Sequence, residues 1–244
     1  MKGRLNRTQP MSHKQPNPPL AGPLEIRPLT AADLRAIAPV HLTAFPRSAM
    51  SLLGAEAVRR YYLWQLTGPH TVTALIANAN GRCAGFVVGG SFSGATSGFL
   101  WANRIYLTWR VLTHPWLMTN PLFRQRLRWS AHMVRWVRRK KRKQAAVAAG
   151  KIAPPPPAAP VVKTFGILSL AVHPAAQGAG VGKRLMREME IIGQAGGFEV
   201  MDLTVSPDNE QAVGFYERLD WQRVPQDGQW TGLMVKHLTK ATRP

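Results

Sequence analysis

The feature that most constrains the fold is an apolar strand that runs into a glycine-bearing turn and then into a helix. Residues 165–172 have the pattern of a buried strand, which ends at His173-Pro174. The turn reads Gln177-Gly178-Ala179-Gly180-Val181-Gly182, and Leu185 and Met189 continue the apolar spacing of a helix. The first N–H groups of a helix lack partners within it and carry partial positive charge, so this helix start is suited to binding phosphate oxygens.

Two better-known phosphate-binding loops are excluded by spacing. A P-loop needs a glycine, four residues and then Gly-Lys followed by Ser or Thr, but Gly178 precedes Gly182 by only four positions and Lys183 is followed by Arg184. The dinucleotide fingerprint needs the spacing G-x-G-x-x-G and an acidic residue downstream for the ribose, and neither requirement is met. Lys183 and Arg184 still add positive charge beside the turn.

Strand and helix signals on both sides of this motif predict an α/β fold with a mixed central sheet and flanking helices. Asn80-Gly81 separates two strand-like segments, 70–77 and 83–88, and this dipeptide favours the turn of an antiparallel hairpin. After the motif we expect a helix over 180–194, a strand over 199–205, a helix over 209–219 and a last strand near 232–238.

The first ordered element is predicted near Leu24, because residues 1–23 are rich in Pro, Asn, Gln and basic residues and hold too little apolar material to pack. Thr30 can cap the following helix, which Pro39 should kink or divide. A second helix is expected over 51–66.

The charge of the chain is concentrated in its middle. The net charge is +20, and residues 57–187 contain 20 of the 32 Lys and Arg but none of the 12 Asp and Glu. Such a field attracts anions, whether a phosphorylated small molecule, an anionic lipid surface or nucleic acid, and does not choose among them.

A basic amphipathic helix is predicted within this stretch. Residues 103–149 have a helical pattern that Pro115 and Pro121 divide, and a spacer with four consecutive prolines follows at 154–157. Over 122–143, arginines at spacings of three, four or seven form one stripe and apolar residues, widened by tryptophans, form another. The stripe consists of Arg124, Arg128, Arg135, Arg139 and Arg142.

Several features favour a cytoplasmic protein. The longest uncharged stretch, 83–103, is interrupted by glycines and serines, which predicts a strand and a loop rather than a membrane-spanning helix. The single cysteine, Cys83, excludes an internal disulfide and is expected in the core. The first residues carry basic side chains without the apolar run of a secretory signal.

The glycine turn and a second element resemble the GNAT superfamily of N-acetyltransferases. That family has an aliphatic-x-Pro strand end and then Gln/Arg-x-x-Gly-x-Gly/Ala, which residues 177–182 match at every fixed position. Its later helix, Asn-x-x-Ala-x-x-Phe-Tyr-x-x-x-Gly-Phe, is matched except that Asp220-Trp221 replaces Gly-Phe. The resemblance is close over about 163–224, looser over 24–90 and without a counterpart over 91–162. The matching residues of the later helix are Asn209, Ala212, Phe215, Tyr216 and Leu219.

The resemblance implies acetyl-CoA as co-substrate and no metal. Tyr216 would be the general acid that protonates the departing thiolate, and Asn209 would steady the cofactor arm. A backbone N–H near Val172 would polarise the thioester carbonyl. The base stays unassigned, because 57–187 holds no carboxylate and His173 fits a structural role. The acyl-pantetheine arm is assigned to Leu170, Ala171 and Val172, and the pyrophosphate to Gln177, Gly178, Ala179, Gly180, Val181, Gly182 and Lys183.

The same patterns suggest how the chain is divided. The parts, in order, are a disordered tail (1–23), the N-terminal part of an acetyltransferase domain (24–102), a basic helical insertion (103–150), a Pro-rich linker (151–162) and the acetyl-CoA-binding half of the domain (163–244).

Other interpretations stay open. The glycine turn can be purely steric, Tyr216 a core aromatic and Asn209 only a helix cap. Residues 122–143 can be a solvated face, or can bind an anionic membrane and hold the protein at its inner face. Nucleic acid is less favoured because no recognisable binding motif accompanies the charge. The alternative function is a non-catalytic module that docks on membrane or RNA. An enzyme's acceptor would be an amino sugar, another phosphorylated small molecule or a protein amine.

Overall fold

A seven-stranded mixed sheet lies at the centre of the molecule, which we describe from a computed structural model. The structure describes residues 22–92, 95–119, 121, 124, 163–226 and 228–238. Within them the strands are β1 (Leu24–Pro28), β2 (Thr71–Ala79), β3 (Arg82–Ser91), β4 (Thr164–Val172), β5 (Val200–Thr204), β6 (Gln222–Arg223) and β7 (Leu233–His237).

The strand order across the sheet is β1-β2-β3-β4-β5-β7-β6. Every neighbouring pair is antiparallel except β4 and β5, which are parallel. The predicted hairpin is confirmed: Asn80 and Gly81 join β2 to β3, and both have positive φ, at 51° and 71°. This backbone conformation matches the twist of the paired strands.

Helices cover both faces of the sheet. Leu185, Met186 and Met189 project from one helix into a core on the first face, whereas Ile37, Val58 and Tyr62 pack on the opposite face. The described helices are α1 (Leu34–Ala44), α2 (Ala49–Leu53), α3 (Ala55–Thr67), α4 (Ala95–Ala102), α5 (Arg104–Thr113), α6 (Trp116–Thr119), α7 (Val181–Ala195) and α8 (Glu210–Glu217).

The first N-terminal helix agrees with the prediction at its start and the second does not. Thr30 is the N-cap residue of the 3-10 turn Ala31–Asp33, which leads directly into α1, and Pro39 lies inside α1 without dividing it. Burial of the apolar side of α1 against the sheet offsets the hydrogen bond that proline removes. The single helix expected over 51–66 is two helices, because Gly54 has φ 93° and breaks the chain between α2 and α3.

The expectation of a strand and a loop over 83–103 is wrong in its second half. β3 ends at Ser91, and α4 begins at Ala95. α4 packs on α3, where Trp64 donates its indole N–H to the carbonyl of Ala95 at 2.9 Å. A Cβ at Gly98 would lie 2.5 Å from the Trp64 ring, so this glycine permits a close helix contact rather than marking a loop.

The helical stretch that follows is divided near Pro115, as predicted, with α5 before the proline and α6 after it. The arginine stripe beyond Arg124, most of 122–143 and the proline spacer lie outside the described residues. In the described part of the chain, no helix combines the length and apolar character needed to cross a membrane.

The second half of the chain agrees with the predicted order of elements. β4, α7, β5, α8 and β7 each lie within two residues of the expected bounds. Strand β6 was not predicted, because two exposed residues carry no alternation that a sequence pattern can show.

Candidate functional site

The glycine turn follows β4 through a short structural cap. The backbone N–H of His173 donates to the carbonyl of Ala84 at 2.8 Å, and its Nδ1 accepts from the N–H of Ala175 at 3.2 Å. His173 thereby caps the 3-10 turn Pro174–Ala176, which agrees with the structural role expected for it. The chain then enters Gly178 and Gly180, which have φ of 82° and 75°.

The start of α7 is open toward solvent. Gly180 is the N-cap residue and supplies no side chain, and Arg184 N–H is the first to bond back, to the Gly180 carbonyl at 3.0 Å. The amides of Val181, Gly182 and Lys183 precede that bond. Gly178 and Gly180 are required by their positive φ, which residues with a side chain rarely adopt. A Cβ on either glycine would meet no atom within 4 Å, so the space above them is clear.

Gly182 and Gly85 have a different purpose, which is close packing beneath the turn. A Cβ on Gly182 would lie 3.2 Å from the Phe215 ring and 3.5 Å from Val172. A Cβ on Gly85 would lie 2.8 Å from the carbonyl oxygen of Ala171 and 3.2 Å from Val181. These contacts bring β3, β4, α7 and α8 together directly below the open amides.

Strand β4 separates from β5 beside this turn. The parallel pairing ends at Ile167 with Leu203, whereas Ser169–Val172 continue to pair with β3. Leu168 is an extra residue against β3, because Val88 pairs with Ser169 and Gly89 with Ile167. In the described residues, the segment 169–172 therefore has a strand neighbour on one side only, and Leu170, Ala171 and Val172 lie in it.

The two predicted residues of α8 lie near the same region. Asn209 is the N-cap residue, and its Oδ1 accepts from the N–H of Ala212 at 3.2 Å. Tyr216 is 9% exposed and packs between Phe215 and Trp221, with ring centroids 5.2 and 5.8 Å away. Burial raises the pKa of Tyr216 to about 12. Leu170, Val172 and Val181 belong to the same apolar cluster as Tyr216.

On the opposite face, β4 meets a group of polar side chains that sequence reasoning missed. Tyr62 donates to Ser169 Oγ at 3.1 Å, and its hydroxyl also lies 2.8 Å from His41 Nδ1. His41 Nε2 lies 3.2 Å from Ser48 Oγ. Tyr62 lies 107 positions from Ser169 and 21 positions from His41 in the sequence, so no local motif signals these contacts.

One carboxylate, Asp202, also lies on this opposite face. Its neighbours Met201 and Leu203 are buried in the core on the α7 side, so Asp202 projects the other way. A Cβ on Gly166 would be 3.4 Å from both Asp202 Oδ1 and the Phe92 ring. Burial raises the pKa of Asp202 above the usual aspartate range. Asp202 lies outside the acid-free stretch 57–187, and the sequence signal for it is the alternation of apolar Met201, acidic Asp202 and apolar Leu203 along β5.

Comparison with known families agrees with this geometry. Residues 101–221, about half of the chain, match the model of the Acetyltransferase (GNAT) family. The match includes β4, the glycine turn, α7 and α8. It begins in α4, well before the segment for which the sequence resemblance was close.

Solved structures share the fold. An acetyltransferase assigned to the GNAT family from Desulfovibrio desulfuricans aligns with 89% of this chain and all of its own length, at 12% identity and a TM-score of 0.51. The PaiA N-acetyltransferase of Thermoplasma acidophilum, solved with coenzyme A, aligns over 88% of this chain and 99% of its own, at 14% identity and 0.50. Ard1 of Thermoplasma volcanium covers 88% and 98%, at 12% identity and 0.50. The family model, the glycine turn and the separation of β4 from β5 agree with one another. The chain belongs to the GNAT family of N-acetyltransferases.

Proposed function

We propose that this N-acetyltransferase carries an acetyl group from acetyl-CoA to an amine at the point where β4 separates from β5. The observation that carries the proposal is the open start of α7 beside the one-sided segment 169–172. The amides of Val181–Lys183 suit a pyrophosphate, because they converge at a helix N-terminus with clear space above Gly178 and Gly180. Leu170, Ala171 and Val172 then lie along the acyl-pantetheine arm, which adds to β4 as a further strand would.

The sulfur side of the reaction belongs to Tyr216. An amine attacks the thioester carbonyl, a carbon–nitrogen bond forms, and the carbon–sulfur bond breaks. With its pKa raised to about 12, Tyr216 keeps its proton at neutral pH and can give it to the departing thiolate. A backbone N–H near Val172 stabilises the oxyanion. Asn209 caps α8, and in this proposal it also steadies the cofactor arm.

The nitrogen side belongs to Asp202. An amine reaches the site largely as an ammonium ion, which attacks nothing until it loses a proton. Asp202 lies on the face of the sheet opposite α7. Its raised pKa makes it a stronger base than an exposed aspartate. The carboxylate both attracts the ammonium and removes its first proton.

The acceptor we favour is a small molecule that carries an anionic group as well as the amine, such as a phosphorylated amino sugar. The support is the charge of 57–187, which has basic residues but no acidic ones. An anionic group lowers the electrostatic cost of bringing an ammonium into a cationic field. A neutral amine or a protein amine gains nothing from that field.

The test is acetyl-CoA binding followed by thiol release with amines. Calorimetry should give one acetyl-CoA site per chain. Glucosamine phosphate should then release thiol faster than glucosamine, with a preference that shrinks as salt increases. Equal rates for the two amines would overturn the anionic acceptor, and the absence of acetyl-CoA binding would overturn the site itself.

We also propose that the chain attaches peripherally to anionic membranes, at the inner face if the protein is cytoplasmic. The basic helix over 122–143 remains a prediction. The described helices before it give a structural reason to propose membrane attachment. Five large apolar side chains of α4, α5 and α6 are more than half exposed, and three of them lie at spacings of four and three on α5. We call the five the tryptophan face: Trp101, Ile105, Trp109, Leu112 and Trp116.

The tryptophan face is the outer side of helices whose inner side is packed. Leu107 and Val111 of α5 contact the buried cluster of Leu53, Ala57 and Leu117. The guanidinium of Arg104 stacks 4.5 Å from the Trp101 ring centroid, which puts a cation beside the apolar surface. Tryptophan and arginine together suit the boundary of an anionic bilayer, and no acidic residue in 57–187 opposes it.

Vesicle co-sedimentation tests this attachment. The intact protein should pellet with phosphatidylcholine–phosphatidylglycerol vesicles and not with phosphatidylcholine alone, and salt should weaken the binding. Replacement of Trp101, Trp109 and Trp116 by serine should abolish pelleting, as should glutamine at the five stripe arginines. Ile191→Ser removes an apolar side chain that is half exposed on α7, and this control should pellet normally.

Membership of the GNAT family does not support a purely non-catalytic module. Membrane attachment is therefore proposed in addition to catalysis, and a variant of the tryptophan face should keep its acetyl-CoA affinity. Loss of both properties together would return these tryptophans to a structural role. Binding to RNA has no described feature in its favour beyond the net charge.

A further inference from the structure

Five side chains on the face of the sheet that carries α1 and α3 form one continuous hydrogen-bonded chain. Successive donor–acceptor distances from Ser169 to Ser51 are 3.1, 2.8, 3.2 and 2.9 Å. We call this set the hydroxyl–imidazole chain, and its members in order are Ser169, Tyr62, His41, Ser48 and Ser51.

Its ends and its middle differ in exposure. His41 and Tyr62 are 5% and 1% exposed, whereas Ser169, Ser48 and Ser51 are half-buried. Ser169 begins the segment of β4 that has a strand neighbour on one side only. The chain therefore starts beside the proposed acyl site, crosses the packed interior and ends at the partly exposed start of α2.

With a neutral His41, the protons of the hydroxyl–imidazole chain can be arranged in two ways. The distances fit Tyr62 donating to Ser169 and Ser48 donating to Ser51. His41 would have to donate from both ring nitrogens to satisfy both directions, but a neutral imidazole has one proton. One half must reverse, and either half can, because each hydroxyl rotates. The two arrangements differ in which ring nitrogen of His41 carries the proton and in the direction in which the hydroxyls donate.

Acetyl transfer creates the need for such a path. An ammonium nitrogen loses two protons in becoming an amide, while sulfur takes up one, so the reaction releases one proton overall. Asp202 removes the first proton before attack. We propose that the hydroxyl–imidazole chain carries away the second proton, from the acceptor nitrogen at Ser169 to solvent at Ser51; this inference rests on the proposed acetyl transfer.

The step balances at every atom. Ser169 Oγ accepts the proton of the nitrogen and passes its own to Tyr62, which passes its own to His41 Nδ1. His41 releases the proton on Nε2 to Ser48, Ser48 passes one to Ser51, and Ser51 loses one to water. Each group ends with the number of protons it began with, and His41 has changed tautomer. After the product leaves, water fills the acceptor site. A proton then passes from solvent at Ser51 back through the hydroxyl–imidazole chain to this water, which restores the first arrangement and leaves the proton of the nitrogen in solvent.

The environment of His41 agrees with a relay that stays neutral. Burial lowers the pKa of His41 to about 4, and burial raises the pKa of Tyr62. Neither group gains or loses charge near neutral pH, so protons pass through them without an ion remaining in the interior.

The first test is independent of activity. In the ¹⁵N-labelled full chain at neutral pH, two-bond ¹H–¹⁵N spectra should show His41 averaged between its two tautomers. Ser169→Ala removes one end and leaves Tyr62 to donate to Nδ1, so the Nε2–H tautomer should dominate. Identical His41 spectra in the two proteins would overturn the relay, even if neither protein had a known acceptor.

The second test uses thiol release with acetyl-CoA and glucosamine phosphate. Tyr62→Phe should lower kcat by about 10²-fold and leave the KM for acetyl-CoA unchanged, and it should remove the solvent deuterium isotope effect on kcat. Tyr61→Phe is the matched control, because it removes a neighbouring hydroxyl on α3 that lies outside the hydroxyl–imidazole chain. Equal kcat and isotope effects in the two variants would overturn the relay. A wild-type protein that bound no acetyl-CoA would instead refute the proposed function, and the spectra would still decide the relay.

Discussion

The candidate site is formed by backbone groups on one side of β4 and by side chains on the other. On the α7 side, the candidate site consists of backbone amides at the start of a helix. The two glycines beside them have positive φ and contribute no side chains. On the α1 and α3 side, it consists of side chains, with Ser169, Tyr62 and His41 hydrogen-bonded through the interior. One strand thus separates a surface made by main-chain geometry from a surface made by side-chain contacts.

This difference decides how each side responds to change. A backbone site depends on the conformation of a few adjacent residues, so one substitution at a glycine alters all its donors together. A side-chain network depends on partners from distant parts of the chain, and its loss is felt as unpaired buried polar groups. Single substitutions on the two sides should therefore alter different measurable quantities.

The largest effect should come from Gly180→Val on the α7 side. A β-branched residue is strained at φ 75°, and its side chain would occupy the clear space above the helix start. We expect no measurable CoA binding by calorimetry. Gly197→Val is the matched control, because Gly197 has φ 71° and equally open surroundings at the other end of α7. Micromolar CoA affinity in folded Gly180→Val would contradict the assignment of the cofactor pyrophosphate to this turn.

On the α1 and α3 side, the expected signature is acid sensitivity. The pKa of His41 is about 4 in the folded protein and 6.5 when exposed. The unfolded chain binds a proton more readily between these values, so the free energy of unfolding should fall as the pH decreases from about 6.5, by roughly 3 kcal/mol at pH 4. Urea unfolding at several pH values measures this slope. In His41→Gln the loss of unfolding free energy between pH 6.5 and pH 4 should be smaller by about 3 kcal/mol. An equal loss in both proteins would contradict the lowered pKa of His41.

Tyr216→Phe separates chemistry from binding on the α7 side. The ring remains between Phe215 and Trp221, while the proton for sulfur is lost. Turnover should fall by roughly 10²-fold or more, with CoA affinity almost unchanged. Thiol release and calorimetry measure the two quantities. Unaltered turnover, when the chemical step limits the rate, would make Tyr216 a packing residue.

The smallest effect should come from Asp202→Asn. At neutral pH we expect turnover to fall about tenfold, equivalent to about 1.4 kcal/mol in the barrier. The deficit should shrink as the pH rises toward the pKa of the amine, because solution then supplies the free base. Asp220→Asn changes an exposed carboxylate after α8 and should have no such effect. A pH-independent deficit in Asp202→Asn would point to a structural role.

The same difference explains how much could be predicted from the sequence. Residues 177–182 are contiguous, and their glycines reveal the backbone they require, so the strand, the turn and α7 were predicted closely. Tyr62 and Ser169 lie 107 positions apart, and nothing local links them. The fold supplies that contact through the pairing of β3 with β4 and the packing of α3 on the sheet.

Misleading glycines account for much of the rest. Gly98 suggested a loop, although it allows Trp64 to approach α4, and Gly54 ended a helix that apolar spacing alone would have continued. Whether a glycine serves a turn, a break or a close contact depends on what lies opposite it. That information comes from tertiary structure, which a single sequence does not show.

The connection between β3 and β4 has a further consequence for how such a chain can change over time. The two strands are antiparallel neighbours, yet about 70 residues lie between them. The entropy lost in closing a loop grows only with the logarithm of its length, so replacing a four-residue turn by this segment costs about 2.5 kcal/mol. A sheet can therefore accept a long insertion at this point for a modest loss of stability. The stretch that carries the tryptophan face and the excess positive charge can be acquired, shortened or exchanged while the register of β3 and β4 is preserved.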